Sequence, residues 1–295
     1  MNIIVFGGSG FLGSHVADAL TAAGHAVTIF DLQTSEHLKP TQKMVVGDIL
    51  DEELVGAAVK EQEVLYNFAG IADIDEASRR PIETVKYNIL GNGILLEAAR
   101  NAKIKRFIYA STVYVYSNSG SFYRCSKCAC EMYIETYQAQ YGLDYTILRY
   151  GTVYGTRADL RNSIYRYLTQ AMTEKKIIYL GDGSEIREYI NVLDAAHASV
   201  EILDNDFKNQ QVIFTGHYPM KVGELFMMIK EILKEDIEIS YVAPKSKDPM
   251  DHYTITPYTF TPKLGRKYLK HYYVDMGQGL LLCMQEIFDK IHNGK

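Results

Sequence analysis

The apolar positions of this 295-residue chain fall into short unbroken runs separated by longer stretches of helical spacing. Residues 2–6 (NIIVF) form the first run, and glycines at 7, 8, 10 and 13 interrupt it before the amphipathic stretch Ser14–Ala23. This reads as strand, tight turn and helix. Further apolar runs stand at Ala26–Phe30, Met44–Val46, Val64–Phe68, Phe107–Ala110 and Tyr145–Arg149, with helical patterns over 51–61, 81–103 and 123–141 between them. Strands that are apolar on both faces and alternate with helices predict a parallel sheet covered on both sides and joined by right-handed crossovers. After Arg149 the pattern changes to a loop containing glycine and tyrosine, a helix near 161–173, a strand at Ile177–Leu180 and the turn Gly181-Asp182-Gly183. Helices are expected at Asp194–Leu203, at Lys221–Lys234 and from about Gly277. A strand is expected at Ile237–Val242 and a loop over 244–262.

Composition narrows the class. With 47% apolar and 23% charged residues the chain is that of a globular protein. The charge sum, 31 basic against 36 acidic residues, is −5, and its densest basic cluster is Lys103/Lys105/Arg106. Nucleic acid is therefore not an expected partner. No signal-peptide pattern follows Met1 and no window approaches the ~18 apolar residues of a bilayer span, so a cytoplasmic location without a membrane partner is expected. Four cysteines, at 125, 128, 130 and 283, do not make a disulfide framework. The spacing of the first three on one helix does not converge thiolates on a metal, and none is expected.

Two motifs carry candidate chemistry. Gly7-x-x-Gly10-x-x-Gly13 lies between a strand and a helix, where the first glycine permits the turn, the second admits phosphate to the backbone and the third allows close helix packing. Taken alone, the triplet also suits a structural turn. Asp31, at the end of the next strand, can accept hydrogen bonds from ribose hydroxyls and would repel a 2′-phosphate, which favours NAD over NADP. The following residue is Leu32, which offers no phosphate partner. A plain turn aspartate remains the alternative. The second motif is Tyr123-x-x-x-Lys127, a phenol and an ammonium on one helix face. A tyrosine of pKa ~10 is a poor base at neutral pH, and lowering it by three units needs about 4 kcal/mol of differential stabilisation, for which Lys127 is a source. This spacing also arises by chance. Thr112 strengthens the reading, because it follows the fifth strand at the edge where ligands of such sheets bind and can hold a substrate hydroxyl.

With these residues the sequence resembles the extended short-chain dehydrogenase/reductase family, in particular its NAD-dependent sugar-nucleotide epimerase/dehydratase branch. The resemblance runs over most of the chain. GGSGFLG, containing Phe11 and Leu12, is similar to the cofactor loop, Gly47-Asp48-Ile49 to the segment near adenine, Phe68-Ala69-Gly70 to the turn after the fourth strand, and Asn88 to the structural asparagine. The Ser111–Tyr116 segment resembles the catalytic Ser/Thr stretch. Further on, Gly181–Ile190 resembles the motif whose arginine, here Arg187, binds a nucleotide-sugar diphosphate, while Asn162 and Tyr179 fall where the family contacts diphosphate and base. Thr152 replaces the family's asparagine at a substrate contact, and Tyr123 follows Thr112 by only eleven positions, fewer than usual.

The resemblance implies an α/β fold of Rossmann type, a doubly wound parallel sheet with a smaller C-terminal substrate-binding lobe. Residues 1–155, rejoined by 191–216, would bind NAD; 156–190 and 217–295 would hold the nucleotide-diphosphate sugar. It further implies Tyr123 as base, Thr112 as hydroxyl positioner, Lys127 as modulator and ribose ligand, and oxidation at C4. The outcome would be 4-epimerisation or net 4-dehydrogenation, in the supply of surface polysaccharide precursors. Dehydration is disfavoured because Val113-Tyr114 stands where the family's dehydratases carry Asp-Glu. A keto-sugar reductase and a non-catalytic NAD sensor or scaffold are the alternatives. The helices near 88–103 and 123–141, with apolar stripes (Ile94, Leu95, Ala98; Tyr133, Ile134, Tyr137), imply a homodimer.

Overall fold

The structure, a computed structural model, describes residues 1–242, 254, 256, 266–268 and 273–293. Its centre is one eight-stranded sheet whose strands all run parallel. In chain order these are β1 (Asn2–Phe6), β2 (Ala26–Asp31), β3 (Lys43–Val46), β4 (Val64–Asn67), β5 (Arg106–Thr112), β6 (Tyr145–Tyr150), β10 (Gln210–Phe214) and β13 (Arg266–Lys267). Their order across the sheet is β13-β10-β6-β5-β4-β1-β2-β3. The chain runs outward from β1 through β2 to β3 and then crosses back to β4 on the other side of β1, so the carboxyl ends of β1 and β4 open onto a crevice at the switch point.

Alternation along the strands explains both layers. Ile3 and Val5 turn to one face with Val16, Leu20, Tyr66, Ile108 and Leu148, where α1 (Phe11–Ala22) and α8 (Val192–Glu201) pack. Ile4 and Phe6 turn to the other with Phe30, Leu65, Phe107 and Ile147, beneath α2 (Glu52–Val59), α5 (Gly91–Asn101) and α6 (Ser121–Tyr141). Burial on both faces is what unbroken apolar strands require. Segment 192–214 thus lies with the large sheet, α8 against α1 and β10 beside β6. A second core gathers Tyr167, Leu168, Tyr179, Leu225, Phe226, Leu280 and Ile287, from α7 (Ser163–Glu174), β8 (Lys176–Leu180), α9 (Val222–Leu233) and α10 (Met276–Asn293). Beside it are two small sheets: β8 with β12 (Glu238–Val242), and β7 (Thr152–Tyr154) with β9 (Ile186–Asn191) and β11 (Pro219–Lys221).

Several elements depart from the sequence pattern. The helix expected over 81–103 is α4 (Pro81–Thr84), a π-helical stretch Val85–Leu90 and α5 in succession. Before it lies a short helix, α3 (Ile74–Arg79), capped by Asp73, whose carboxylate accepts from the Glu76 amide at 2.7 Å. The loop expected after Arg149 contains β7, too short for a period of two to show. Asn191, not Asp194, caps α8, and the Asp194 carboxylate accepts from the Val274 amide at 2.8 Å instead. The proline-containing loop 244–262 lies outside the described residues except for Thr254 and Thr256.

One polar group crosses the core. Arg149 on β6 and Glu131 on α6 are 0% and 1% exposed and form a two-pronged pair, Nε to Oε1 at 3.0 Å and Nη2 to Oε2 at 2.7 Å. Ser111, directly opposite Arg149 in the β5–β6 register, donates to Glu131 Oε1 at 2.6 Å, and Arg149 Nη1 donates to the Tyr116 hydroxyl. Removing one partner leaves a buried charge uncompensated, at a cost of about 3–5 kcal/mol. Arg149→Met is therefore expected to lower unfolding stability by ~3–5 kcal/mol in urea titrations. A loss below ~1 kcal/mol, as for an exposed pair, would contradict this account of the core.

Candidate active site

The crevice is built from the carboxyl ends of β1, β2, β4 and β5. Gly7 (φ 75°) turns the chain out of β1, and its amide donates to the Phe30 carbonyl of β2 at 2.9 Å. A Cβ on Gly7 would lie 2.6 Å from the Phe68 carbonyl carbon and the Ala69 amide nitrogen, and one on Gly13 would lie 2.2 Å from the Gly7 carbonyl. Larger residues would push apart the glycine loop, α1 and the turn after β4. Gly10 is the N-cap of α1 and supplies no side-chain cap, so the helix presents bare amides to the crevice, with Phe11 and Leu12 beginning its first turn.

Asp31 ends β2 beside this loop. Its carboxylate accepts from the Ser9 amide at 2.9 Å and the Gln33 amide at 3.4 Å. A carboxylate has about four acceptor sites, so capacity remains for a ribose diol. Leu32 beside it is 57% exposed. Asp48 accepts from the Leu50 amide at 2.9 Å in a tight turn, and Ile49 is buried against Gly91 at the start of α5. The glycine cradle and the partly satisfied Asp31 carboxylate fit a bound dinucleotide with free ribose hydroxyls.

Asn88 joins the two halves of the crevice. It sits in the π-helical stretch, a widened turn often found at functional positions. Its side chain accepts from the Ile71 amide at 2.7 Å and donates to the Ile71 carbonyl at 3.0 Å, holding the turn of Gly70 (φ 132°). It also donates to the Ser126 hydroxyl at 2.9 Å, and Ser126 donates to the Tyr123 carbonyl at 2.8 Å. The turn after β4 and the first turns of α6 are thereby tied together.

Lys127 lies one turn beyond Tyr123 and is buried. Its ammonium donates to the Ala110 carbonyl of β5 at 2.7 Å and stands 4.8 Å from the Tyr109 ring centroid and 5.7 Å from that of Tyr123. Burial pushes its pKa down to about 8, opposed by the Cys130 and Glu131 side chains, so the lysine is still mostly a cation at pH 7. A buried cation this near a phenol favours the phenolate. Thr112 ends β5, and its hydroxyl accepts from the Tyr114 amide at 3.3 Å, which opens a single 3₁₀ turn, Val113–Tyr116. The short connection to α6 is only Ser117–Gly120. Tyr114 packs edge-on to Tyr123, with centroids 6.4 Å apart at 78°.

On the lobe side, β7 continues directly from β6 and places Thr152 two residues past Tyr150, the register partner of Thr112. Arg187, 9% exposed, lies on the adjoining strand β9 and donates to the Ile186 carbonyl at 3.1 Å and the Thr254 carbonyl at 3.4 Å. The two other expected substrate contacts are engaged within the lobe. Asn162 caps α7, accepting from the Tyr165 amide at 3.2 Å and donating to the Val153 carbonyl at 2.8 Å. Tyr179 is buried against Tyr167 and Phe226, because β8 alternates and turns Ile178 and Leu180 outward instead. Sequence reading missed Ser126, whose hydroxyl links Asn88 to Tyr123, and Arg124, a half-buried arginine beside the phenol. Among the described residues no group of histidine, cysteine, aspartate and glutamate could hold a metal, and no helix is long and apolar enough to cross a membrane.

The arrangement sets a phenol beside a buried ammonium, with a threonine hydroxyl at the end of the neighbouring strand, at the carboxyl edge of the sheet that carries the glycine cradle. The model of the NAD dependent epimerase/dehydratase family matches residues 3–215. A putative UDP-glucose 4-epimerase of Methanocaldococcus jannaschii is 31% identical over 264 residues, 82% of this chain and 86% of that protein. A UDP-N-acetyl-alpha-D-glucosaminuronate decarboxylase of Bacillus cytotoxicus is 27% identical over 81% of this chain and 82% of its own. Among solved structures, the UDP-glucose 4-epimerase of Thermotoga maritima with UDP-glucose superposes with a TM-score of 0.85 at 28% identity, covering 99% of this chain and 100% of that one. The chain belongs to the NAD-dependent epimerase/dehydratase family, the extended short-chain dehydrogenase/reductase enzymes of sugar nucleotides.

Proposed function

We propose that this enzyme interconverts UDP-sugars at C4, as a 4-epimerase or a net 4-dehydrogenase. The observation that carries the reading is the convergence of Tyr123, Thr112 and buried Lys127 at the carboxyl edge of β5, beside the glycine cradle. NAD, when bound, supplies the acceptor for the hydrogen on C4. The chain's own residues do the rest. The Thr112 hydroxyl, whose oxygen already accepts from the Tyr114 amide, keeps its proton free to donate to the C4 oxygen and so orients the sugar. The Tyr123 phenolate, favoured by the Lys127 ammonium, takes the C4 hydroxyl proton. Lys127 cannot swing away, because the Ala110 carbonyl holds it. Arg187 and Thr152, on the adjoining strands β9 and β7, are the groups this reading assigns to the diphosphate and the sugar. The names of the relatives support UDP as the nucleotide, and Val113-Tyr114, in place of the dehydratases' acidic pair, supports a reaction without elimination of water. A precursor for surface polysaccharide is the product class this implies.

A homodimer through α5 and α6 is part of the same reading, but two residues of the expected stripes, Leu95 and Ile134, are buried in the subunit's own core and leave the partner-facing role to their exposed neighbours. Leu90 just before α5, and Met132, Tyr133 and Tyr141 on α6, are 53%, 64%, 54% and 59% exposed, a density of large apolar side chains that a partner's identical helices would cover.

Two outcomes test this. Tyr123→Phe keeps the ring and its packing on Tyr114 but cannot accept the proton, so kcat on UDP-sugar is expected to fall ~10²–10⁴-fold with NAD still bound. Near-normal turnover would refute the role of Tyr123 and favour a non-catalytic NAD-binding protein. Light scattering at micromolar concentration should give twice the 33.4 kDa chain mass, and a monomer mass would remove the dimer.

A further inference from the structure

Arg124 is a charged side chain that the chemistry above does not use. It follows Tyr123 in the first turn of α6 and is half-buried. Its Nε is buried with no partner, and among the described residues no hydrogen bond or ion pair engages its side chain. Other arginines of the molecule are paired, Arg149 with Glu131, Arg161 with Asp159 and Arg80 with Glu76, and Arg157, which also has an unpartnered buried nitrogen, still pairs with Asp18 through its other one. An orphaned buried donor is costly, more so when charged, and such groups call for an explanation. The first turn of α6 holds no acid, and a cation there faces the positive end of the helix dipole. Both costs are relieved by an anion.

The local packing says where that anion lies. Gly120 (φ 100°) is needed because a Cβ there would sit 2.7 Å from the Tyr114 ring and 3.1 Å from the Arg124 Cβ. Tyr114 in turn meets the Tyr123 ring edge-on, and its amide donates to Thr112. Arg124 thus stands beside Tyr114, the residue that packs on the Tyr123 ring and whose amide holds the Thr112 hydroxyl. This step rests on the C4 reading above. With C4 at Tyr123, the ring substituents nearest are those on C3 and C5, whereas the diphosphate on C1 is across the ring. Of these, C6 on C5 is the position that carries a carboxylate in acidic hexoses.

We propose that Arg124 is the carboxylate-binding residue of the sugar pocket and that the substrate is a nucleotide-diphosphate hexuronate. A guanidinium grips a carboxylate with two parallel hydrogen bonds, fixing the face that C4 presents to Tyr123 as well as adding affinity.

The test uses the full-length enzyme with its bound cofactor. It compares kcat/KM for UDP-glucuronate and UDP-glucose in the unaltered protein, Arg124→Gln and Arg124→Lys, with NAD content as the check on folding. The unaltered enzyme is expected to favour the uronate ~10²-fold, Arg124→Gln to bring the ratio close to one, and Arg124→Lys to recover part of it as a point charge without the fork. NMR of the product should show the C6 carboxylate retained. A ratio near or below one in the unaltered enzyme, or one that Arg124→Gln leaves unmoved, overturns the proposal while leaving C4 chemistry in place. If neither sugar reacts with NAD bound, the C4 reading itself fails and this inference with it.

Discussion

The buried pair of Arg149 and Glu131 is the constraint on which the site depends. A guanidinium and a carboxylate taken wholly out of water hold together only when nearly every donor and acceptor is used. Here the Ser111 hydroxyl and the Tyr116 phenol complete the set. The four residues belong to β5, the 3₁₀ turn after it, β6 and α6, so the pair fixes helix against sheet at the point where the proposed catalytic groups emerge from both. Thr112 follows Ser111, Tyr116 closes the turn that begins at Thr112, and Lys127 is one helical turn before Glu131. An apolar core could bring these elements into contact, but rotation of α6 by a few degrees would cost it little. The forked pair penalises such a rotation directly, and the reach of the Lys127 ammonium from α6 to the Ala110 carbonyl of β5 depends on it.

Asn88 applies the same logic on the cofactor side. Its amide satisfies the Ile71 backbone and reaches Ser126 across the crevice, so the turn at Gly70 and the start of α6 move as one body. The π-helical stretch that holds Asn88 widens the helix by one residue and interrupts the regular pattern between α4 and α5. Its local cost is acceptable because one side chain then joins the elements that would carry the cofactor to those that carry the base.

Six strands of the sheet, β1 to β6, and the helices between them were legible because unbroken apolar runs of three to five residues leave few alternatives, and the glycine spacing marked the cradle, whereas β10 and β13 were not expected from the pattern. Tyr123, Lys127 and Thr112 were proposed from sequence as a set, and the structure sets the Lys127 ammonium 5.7 Å from the Tyr123 ring centroid and Thr112 at the end of β5. The Arg149 and Glu131 pair was hidden, because Arg149 reads as the polar end of an apolar strand and its partner lies eighteen residues earlier on a helix. β7 and α3 were too short for any periodicity to register. Tyr179 was assigned by resemblance alone, whereas the alternation of β8 turns it into the lobe's core and its neighbours outward. Arg124 carried no sequence signal beyond adjacency to the base, and its meaning comes from an unpartnered donor that only coordinates reveal.

The central claim is that the chain removes the hydrogen on C4 and the proton on its oxygen in one crevice. Incubating the enzyme with UDP-glucose or UDP-glucuronate deuterated at C4, and following the label by NMR and mass spectrometry, tests this most directly. The account predicts deuterium retained at C4 of an epimer or transferred to the cofactor, with none in water. Deuterium washed into solvent, or product formed with the label untouched at C4 in its original configuration, would contradict it.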